Sequence, residues 1–243
     1  MFAGGIKRFM KKVLFSIMVC FLCLGMGISN VGAKKEKVIY LTFDDGPSKN
    51  TPKVLKILDQ YKVKATFFVT GNGGKYTKYI GEAFNAGHKI GAHTYTHNYK
   101  IYKSKKSYYK DLNKIQNLIV KQTGQKTDII RFPGGSSNTV SRHYKKGIMK
   151  KLTKDVRKKG YQYFDWNVSS GDAASVNPKT SRIVKNAKKG KSKNTIVLLM
   201  HDSKPKTHTV KALPKIIKYY KKKGYVFKTL DINSYAAHHP VNN

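Results

Sequence analysis

An α/β fold built on a parallel sheet is what this sequence predicts, and three observations carry the prediction. Seven apolar runs of strand length alternate with amphipathic helical stripes, the pattern of repeated β/α units. No internal repeat or linker divides them. The chemically distinctive side chains (Asp44, Asp45, His93, Arg131, Asp172 and His201) all fall just after strand ends, which share one face in a parallel barrel. The sheet is either closed as a barrel or doubly wound. No glycine-rich phosphate loop of either common type is present, which counts against a nucleotide-binding fold.

Taken in order, Val38 to Phe43 reads as a buried strand that stops at Asp44-Asp45 and the turn Gly46-Pro47. Thr51-Pro52 supplies an N-cap with proline at the first helical position, and Val54, Leu55, Ile57, Leu58 and Tyr61 form a helical stripe. A strand follows at Ala65 to Thr70, a helix from Tyr76 to Ala86, and a short strand from His88 to Ala92. Next come a helix over about Ser107 to Lys121, a strand from Thr127 to Phe132, and a basic helix near Tyr144 to Lys159. Tyr161 to Trp166 is the fifth strand. After a loop and a helix near Pro178 to Lys188, Thr195 to Met200 is a strongly apolar strand. The last pair is a helix around Val210 to Lys223, interrupted or kinked at Pro214, and a strand from Tyr225 to Thr229.

Composition narrows the chemistry. Lys7, Arg8, Lys11 and Lys12 precede an uncharged apolar run from Val13 to Val31, then Gly32-Ala33. Residues 1–33 therefore read as a secretory signal peptide, with a retained membrane anchor as the alternative, and 34–243 as one domain. Both cysteines, Cys20 and Cys23, lie in the leader, so thiol catalysis, cysteine-ligated zinc and disulfide bracing are excluded from a cleaved chain. The net charge is +37, and subtracting the four leader cations leaves +33. Such a surface seeks polyanions. Only five of the cations are arginines, so planar base-reading forks are scarce, and export makes nucleic acid a poor partner. An anionic cell wall is the better one, and a membrane enters only if the leader is retained.

Two adjacent carboxylates at a strand mouth repel each other. A bound metal ion neutralises one and leaves the other free as a base. The alternative is a solvated turn in which Asp44 and Asp45 cap the next helix. His93 and His97, four residues apart, share a side of one helical turn and can share a metal. With a strand-end aspartate they make a two-histidine, one-carboxylate set whose open positions suit catalysis.

The ordered motifs Thr42-Phe43-Asp44-Asp45-Gly46-Pro47, His93-x-x-x-His97, Arg131-Phe132-Pro133-Gly134-Gly135 and Leu199-Met200-His201-Asp202 resemble the polysaccharide deacetylases of the NodB-homology class, carbohydrate esterase family 4. The resemblance covers essentially all of 34–243. It implies a distorted (β/α)7 barrel, Asp44 as general base, and Asp45, His93 and His97 as metal ligands. It further implies Arg131 as the residue orienting the base, Gly134 as oxyanion donor through its N–H, and His201 as general acid. Pro133, Gly134, Trp166 and Leu199 then border the substrate, Leu199 as the apolar wall of the acetyl pocket. Zinc suits the ligands, and cobalt, nickel or manganese can occupy the same set.

The expected substrate is a glycan of N-acetylglucosamine units, peptidoglycan first, with chitin-type or poly-N-acetylglucosamine polymers as others. An O-acetyl xylan-type esterase and a decayed cationic wall-binding module are the competing readings. Two departures stand out. Ser169 and Ala173 occupy positions where the family commonly has aspartate and tryptophan, and Phe132 and Gly134 stand where proline and an aromatic are frequent. Asp172 is expected to pair with His201, with Asp165 the competitor for that role. Trp166 reads as either core or sugar platform. His88 reads as a core histidine, and His143, His208, His238 and His239 as surface groups.

Overall fold

The structure, a computed structural model, describes residues 36–243. The predicted leader lies outside the described residues. Eight strands form one sheet: β1 (Lys37–Asp44), β2 (Thr66–Val69), β3 (Lys89–Ala92), β4 (Ile129–Ile130), β5 (Gln162–Tyr163), β6 (Val168–Ser169), β7 (Thr195–His201) and β8 (Tyr225–Phe227). Every pairing is parallel. The order is β5-β4-β3-β2-β1-β7-β6, with β8 beside β1. Six helices connect the strands: α1 (Thr51–Gln60), α2 (Tyr79–Asn85), α3 (Lys105–Thr123), α4 (Ile148–Lys158), α5 (Thr180–Ala187) and α6 (Thr207–Lys222).

β1 organises the sheet. It pairs with β7 over Val38–Asp44, with β2 over Thr42–Asp44, and with β8 over Lys37–Ile39. Alternation along β1 and β7 sends Ile39, Leu41, Phe43, Ile196, Leu198 and Met200 to the main core, which also takes the buried sides of the helices. Tyr40 and Val197 join a smaller inner cluster with Phe68, Ile129 and Phe164. That inner cluster is closed by Leu230 and Ala237 from the segment after β8. The Leu230 N–H donates to Thr66 Oγ1 (2.9 Å), and the Asp165 N–H to the Ala237 carbonyl (2.8 Å). Because β5 and β6 end the pairing order without meeting each other, the sheet is a half-barrel whose gap this segment spans.

The expected barrel-like β/α order therefore stands, with several local corrections. A strand the sequence does not announce, β6, pairs with β7 through two residues, Val168 and Ser169. α1 begins at Thr51 with Asn50 as its N-cap, because the Thr51 hydroxyl is used elsewhere: it accepts from Ser48 N–H and donates to Asp202 Oδ2. α6 runs through Pro214 without interruption. An interior proline costs about 3 kcal/mol, which the burial of Ala212, Leu213, Ile216 and Ile217 around it offsets.

Candidate active site

The register of β1 against β7 places Asp44 directly beside His201, both on the inner face at the C-terminal end of the sheet. A one-residue slip would turn either side chain into the helix-side core. Asp44 is buried, and its Oδ1 accepts from Arg131 Nη1 at 2.8 Å. The Arg131 guanidinium is itself fully buried and has four partners: Asp44, Thr42 Oγ1 (2.8 Å) and the carbonyls of Phe164 and Asp165 (both 2.9 Å). Phe68 covers one side of it at 4.2 Å, with Trp166 at 5.8 Å. A buried cation with four of its five N–H donors placed fixes one carboxylate oxygen of Asp44 and leaves the other free of it.

Asp45 leaves the strand in a left-handed conformation (φ 69°), which turns its side chain toward two imidazoles. Its Oδ1 lies 3.3 Å from His97 Nε2 and 3.5 Å from His93 Nε2, and the two rings are 4.9 Å apart. The histidines do not share a helical turn as their spacing suggested. Residues 93–98 form a loop in which Thr94 (φ 61°) and His97 (φ 52°) are left-handed, and these two bends bring the rings together. Asp111 of α3 holds that loop, accepting from Tyr95 N–H (2.6 Å), Thr96 N–H (3.0 Å) and Thr96 Oγ1 (2.9 Å).

The trio fits a metal ion. His93 Nδ1 sits 2.7 Å from the Arg131 carbonyl, which can only accept, so Nδ1 carries the proton and Nε2 presents its lone pair to Asp45. Burial pulls the His93 pKa below its ordinary value, against the opposing charge of Asp44, and so favours this neutral form. Asp45 Oδ1 is buried with no hydrogen-bond partner among the described residues. An anionic oxygen facing an imidazole lone pair is repulsive, and a cation between them relieves it. Asp45, His93 and His97 are the residues that can hold one.

On the other side of Asp44, His201 Nδ1 lies 2.8 Å from Asp172 Oδ1, and the His201 N–H donates to Asp172 Oδ2 at 2.7 Å. Thr209 Oγ1 also donates to Oδ2, at 2.9 Å. Burial alone would lower the His201 pKa, but the hydrogen bond and charge of Asp172 raise it to about 9. The loop carrying Asp172 is tied down by Lys206, a buried ammonium that donates to the carbonyls of Asp172 (2.8 Å), Ser175 and Val176 (both 3.0 Å). Asp165, the competitor, accepts instead from the backbone N–H groups of Ser136 and His239 (both 2.8 Å) and from Ser136 Oγ.

Leu199 is buried two residues before His201 on the same face of β7. Pro133 precedes a turn in which Gly134 (φ 76°) and Gly135 (φ 77°) are both left-handed. The Pro133 carbonyl accepts from Tyr102 Oη (3.0 Å), and the Gly134 N–H has no partner among the described residues. Trp166 packs behind this turn, its ring 3.1 Å from where a Gly135 Cβ would stand and edge-on to His239. His239 is thus no isolated surface group, since its Nε2 donates to the Trp166 carbonyl at 2.6 Å. His238 likewise stacks on Tyr163. His88 is the core histidine expected: its Nδ1 accepts from Ala65 N–H, and burial, then Lys64, lowers its pKa to about 4.

The family model for polysaccharide deacetylase matches residues 31–162, more than half of the chain. The chain belongs to the polysaccharide deacetylase family. Across 220 residues this deacetylase is 36% identical to a peptidoglycan-N-acetylglucosamine deacetylase of Bacillus cereus, covering 88% of this chain and 76% of that one. Its fold is similar to the catalytic domain of a peptidoglycan N-acetylglucosamine deacetylase from Eubacterium rectale, with a TM-score of 0.82 and 44% identity over 87% of this chain and 99% of that one. A polysaccharide deacetylase of Bacillus cereus superposes with a TM-score of 0.72 at 34% identity, covering 85% and 97%. As a deacetylase the protein is a hydrolase acting on carbon–nitrogen bonds.

Sequence reasoning about this deacetylase gives no role to Asp111 or Lys206, and names Asp202 only as the last residue of a motif. Asp111 left a signal: it is a lone acid between Tyr108 and Ile115 on the apolar stripe of α3. Asp202 is fully buried, with burial its main influence and Thr51 opposing it, so its pKa is pushed up to about 7. Its carboxyl lies where a Cβ on Gly46 would stand, which is why that turn requires glycine. Lys206 left no signal among so many lysines.

Proposed function

We propose that this deacetylase is a metal-dependent enzyme that removes acetyl groups from N-acetylglucosamine units of peptidoglycan, outside the cell. The observation that carries the reading is the convergence of two differently equipped sides on Asp44: an orphaned Asp45 oxygen between two imidazoles, and an imidazole held protonated by Asp172. The names of the relatives from Bacillus cereus and Eubacterium rectale support the substrate class. The predicted leader and the excess of lysine support export and retention on an anionic wall.

Asp45, His93 and His97 would hold a divalent cation, zinc by ligand type, with cobalt, nickel or manganese as alternatives. Such an ion, when bound, polarises an acetamide carbonyl and makes water a better nucleophile near neutral pH. Asp44, oriented by Arg131 through Oδ1, takes the proton of the attacking water on Oδ2. The unpartnered Gly134 N–H is available to the oxygen that gains charge. The amine leaves only once protonated, and His201, with Asp172 on Nδ1, supplies that proton from Nε2. Leu199 gives the acetyl methyl an apolar wall.

The test is acetate release by the purified protein from N-acetylglucosamine oligomers and from wall glycan, with and without its metal. Release that disappears on metal removal and returns on zinc addition is expected. Absence of release from any of these glycans, with the metal loaded, overturns the reading.

A further inference from the structure

Tyr99 lies at the same site. It follows the left-handed His97 by two residues and opens a short 3-10 turn, Tyr99–Lys103, capped by Asn98, whose Oδ1 accepts from Lys100 N–H at 2.9 Å. Its half-buried ring stands edge-on to His97, with centroids 6.1 Å apart, and tilts against Tyr102 at 5.9 Å. From there the phenol reaches across to the 133–135 turn. A Cβ on Gly134 would stand 2.5 Å from Tyr99 Oη and 3.3 Å from its Cε1, so the hydroxyl fills the space where a side chain at 134 would begin. Gly134 is glycine for two reasons: its φ of 76° and this phenol.

The hydrogen bonding is asymmetric. Tyr102, one ring away, donates its hydroxyl to the Pro133 carbonyl. Tyr99 Oη donates to no described residue, and neither does the adjacent Gly134 N–H. Two unspent donors therefore stand together beside His97, at the mouth where the acyl group must lie. The ring of Tyr99 is half-buried while its hydroxyl stays open to solvent beside Gly134, so it is free to donate to a ligand that enters there.

We infer that Tyr99 is a catalytic residue whose hydroxyl donates, together with the Gly134 N–H, to the acyl oxygen as it becomes tetrahedral and anionic. The inference rests on the deacetylase reading above and adds a residue to it. A donor aimed at developing charge acts on the transition state more than on the bound substrate, so its loss lowers kcat with little change in KM.

Tyr99→Phe tests this, since it keeps the ring packing on His97 and Tyr102 and removes only the oxygen. With tetra-N-acetylchitotetraose as substrate, kcat is expected to fall by about 10- to 100-fold, somewhat less than for the loss of a side-chain oxyanion donor such as an asparagine amide, with KM and zinc stoichiometry unchanged. A methylphosphonamidate analogue, whose tetrahedral anion mimics the intermediate, is expected to bind Tyr99→Phe more weakly by a similar factor, while intact tetra-N-acetylchitotetraose binds both proteins equally. Unchanged kcat, a raised KM alone, or lost zinc each overturn the role, the last because it would make Tyr99 a support for His97. A parent protein that binds zinc but releases no acetate from any glycan sinks the deacetylase reading and this role with it. Normal parental release with an unaffected Tyr99→Phe sinks only Tyr99.

Discussion

At the scale of single residues, the site depends on side chains whose partners are nearly all inside the protein. Arg131 has no solvent contact and four acceptors. Arg131→Met would leave Asp44 buried without its cation, so a loss of about 3 to 5 kcal/mol in unfolding free energy is expected by denaturant titration, together with loss of turnover. Arg131→Lys should rescue neither fully, because one ammonium cannot reach acceptors arranged for a fork. Asp172 sets the protonation of His201. With the pair intact, the rate should fall as pH rises past about 9, and Asp172→Asn should move that limb to lower pH, since only the charges of Asp44 and Asp45 then oppose the effect of burial on His201. The same pairing contributes stability that is fully present below the unfolded histidine value of 6.5 and is lost as pH rises through about 9. A pH–rate profile whose alkaline limb ignores Asp172→Asn would remove His201 from its role.

At the scale of elements, the readable parts were those with long periodic signals. β1 and β7 are the longest strands, eight and seven residues built around apolar stretches, and their register alone puts Asp44 beside His201. β4, β5 and β6 are two residues each, too short for alternation to declare itself, so the sequence overstates the length of the fourth and fifth and does not announce the sixth. The histidine pair was legible as a pair. Its geometry was not, because left-handed backbone at a threonine and a histidine is imposed by tertiary contacts, here the acceptance of three hydrogen bonds by Asp111. Asp111→Ala should therefore weaken zinc binding about 10- to 100-fold, measured by competition with a chromophoric chelator, although Asp111 touches neither imidazole. Lys206→Met should raise amide hydrogen exchange across residues 172–177, whose three carbonyls it gathers.

At the scale of the whole molecule, the half-barrel is completed by chain far from the catalytic motifs. The segment after β8 lines the inner face, reaches Asp165 through Ala237 and His239, and so shares one carboxylate with the turn that presents Gly134. None of this was legible from the last residues of the sequence, which carry no periodic pattern and act through backbone groups. The charge distribution was legible in sum but not in arrangement. Twelve acidic residues stand against 49 lysines and arginines. Five of the twelve, Asp44, Asp111, Asp165, Asp172 and Asp202, are buried, and Asp45 faces the histidine pair. Four more, Glu36, Glu82, Asp128 and Asp155, pair with lysines. Retention on isolated wall sacculi should accordingly fall steeply between about 0.05 and 0.5 M salt, as the Debye length shrinks.

That shortage of surface anions has a practical bearing on how the proposed metal dependence is to be tested. Ethylenediaminetetraacetate is itself a multivalent anion, and a shell of lysines will concentrate it whether or not it extracts an ion. Inhibition by that reagent could thus arise from crowding of the glycan approach. An uncharged sequestrant such as phenanthroline, or exhaustive dialysis followed by zinc restoration, separates the two causes.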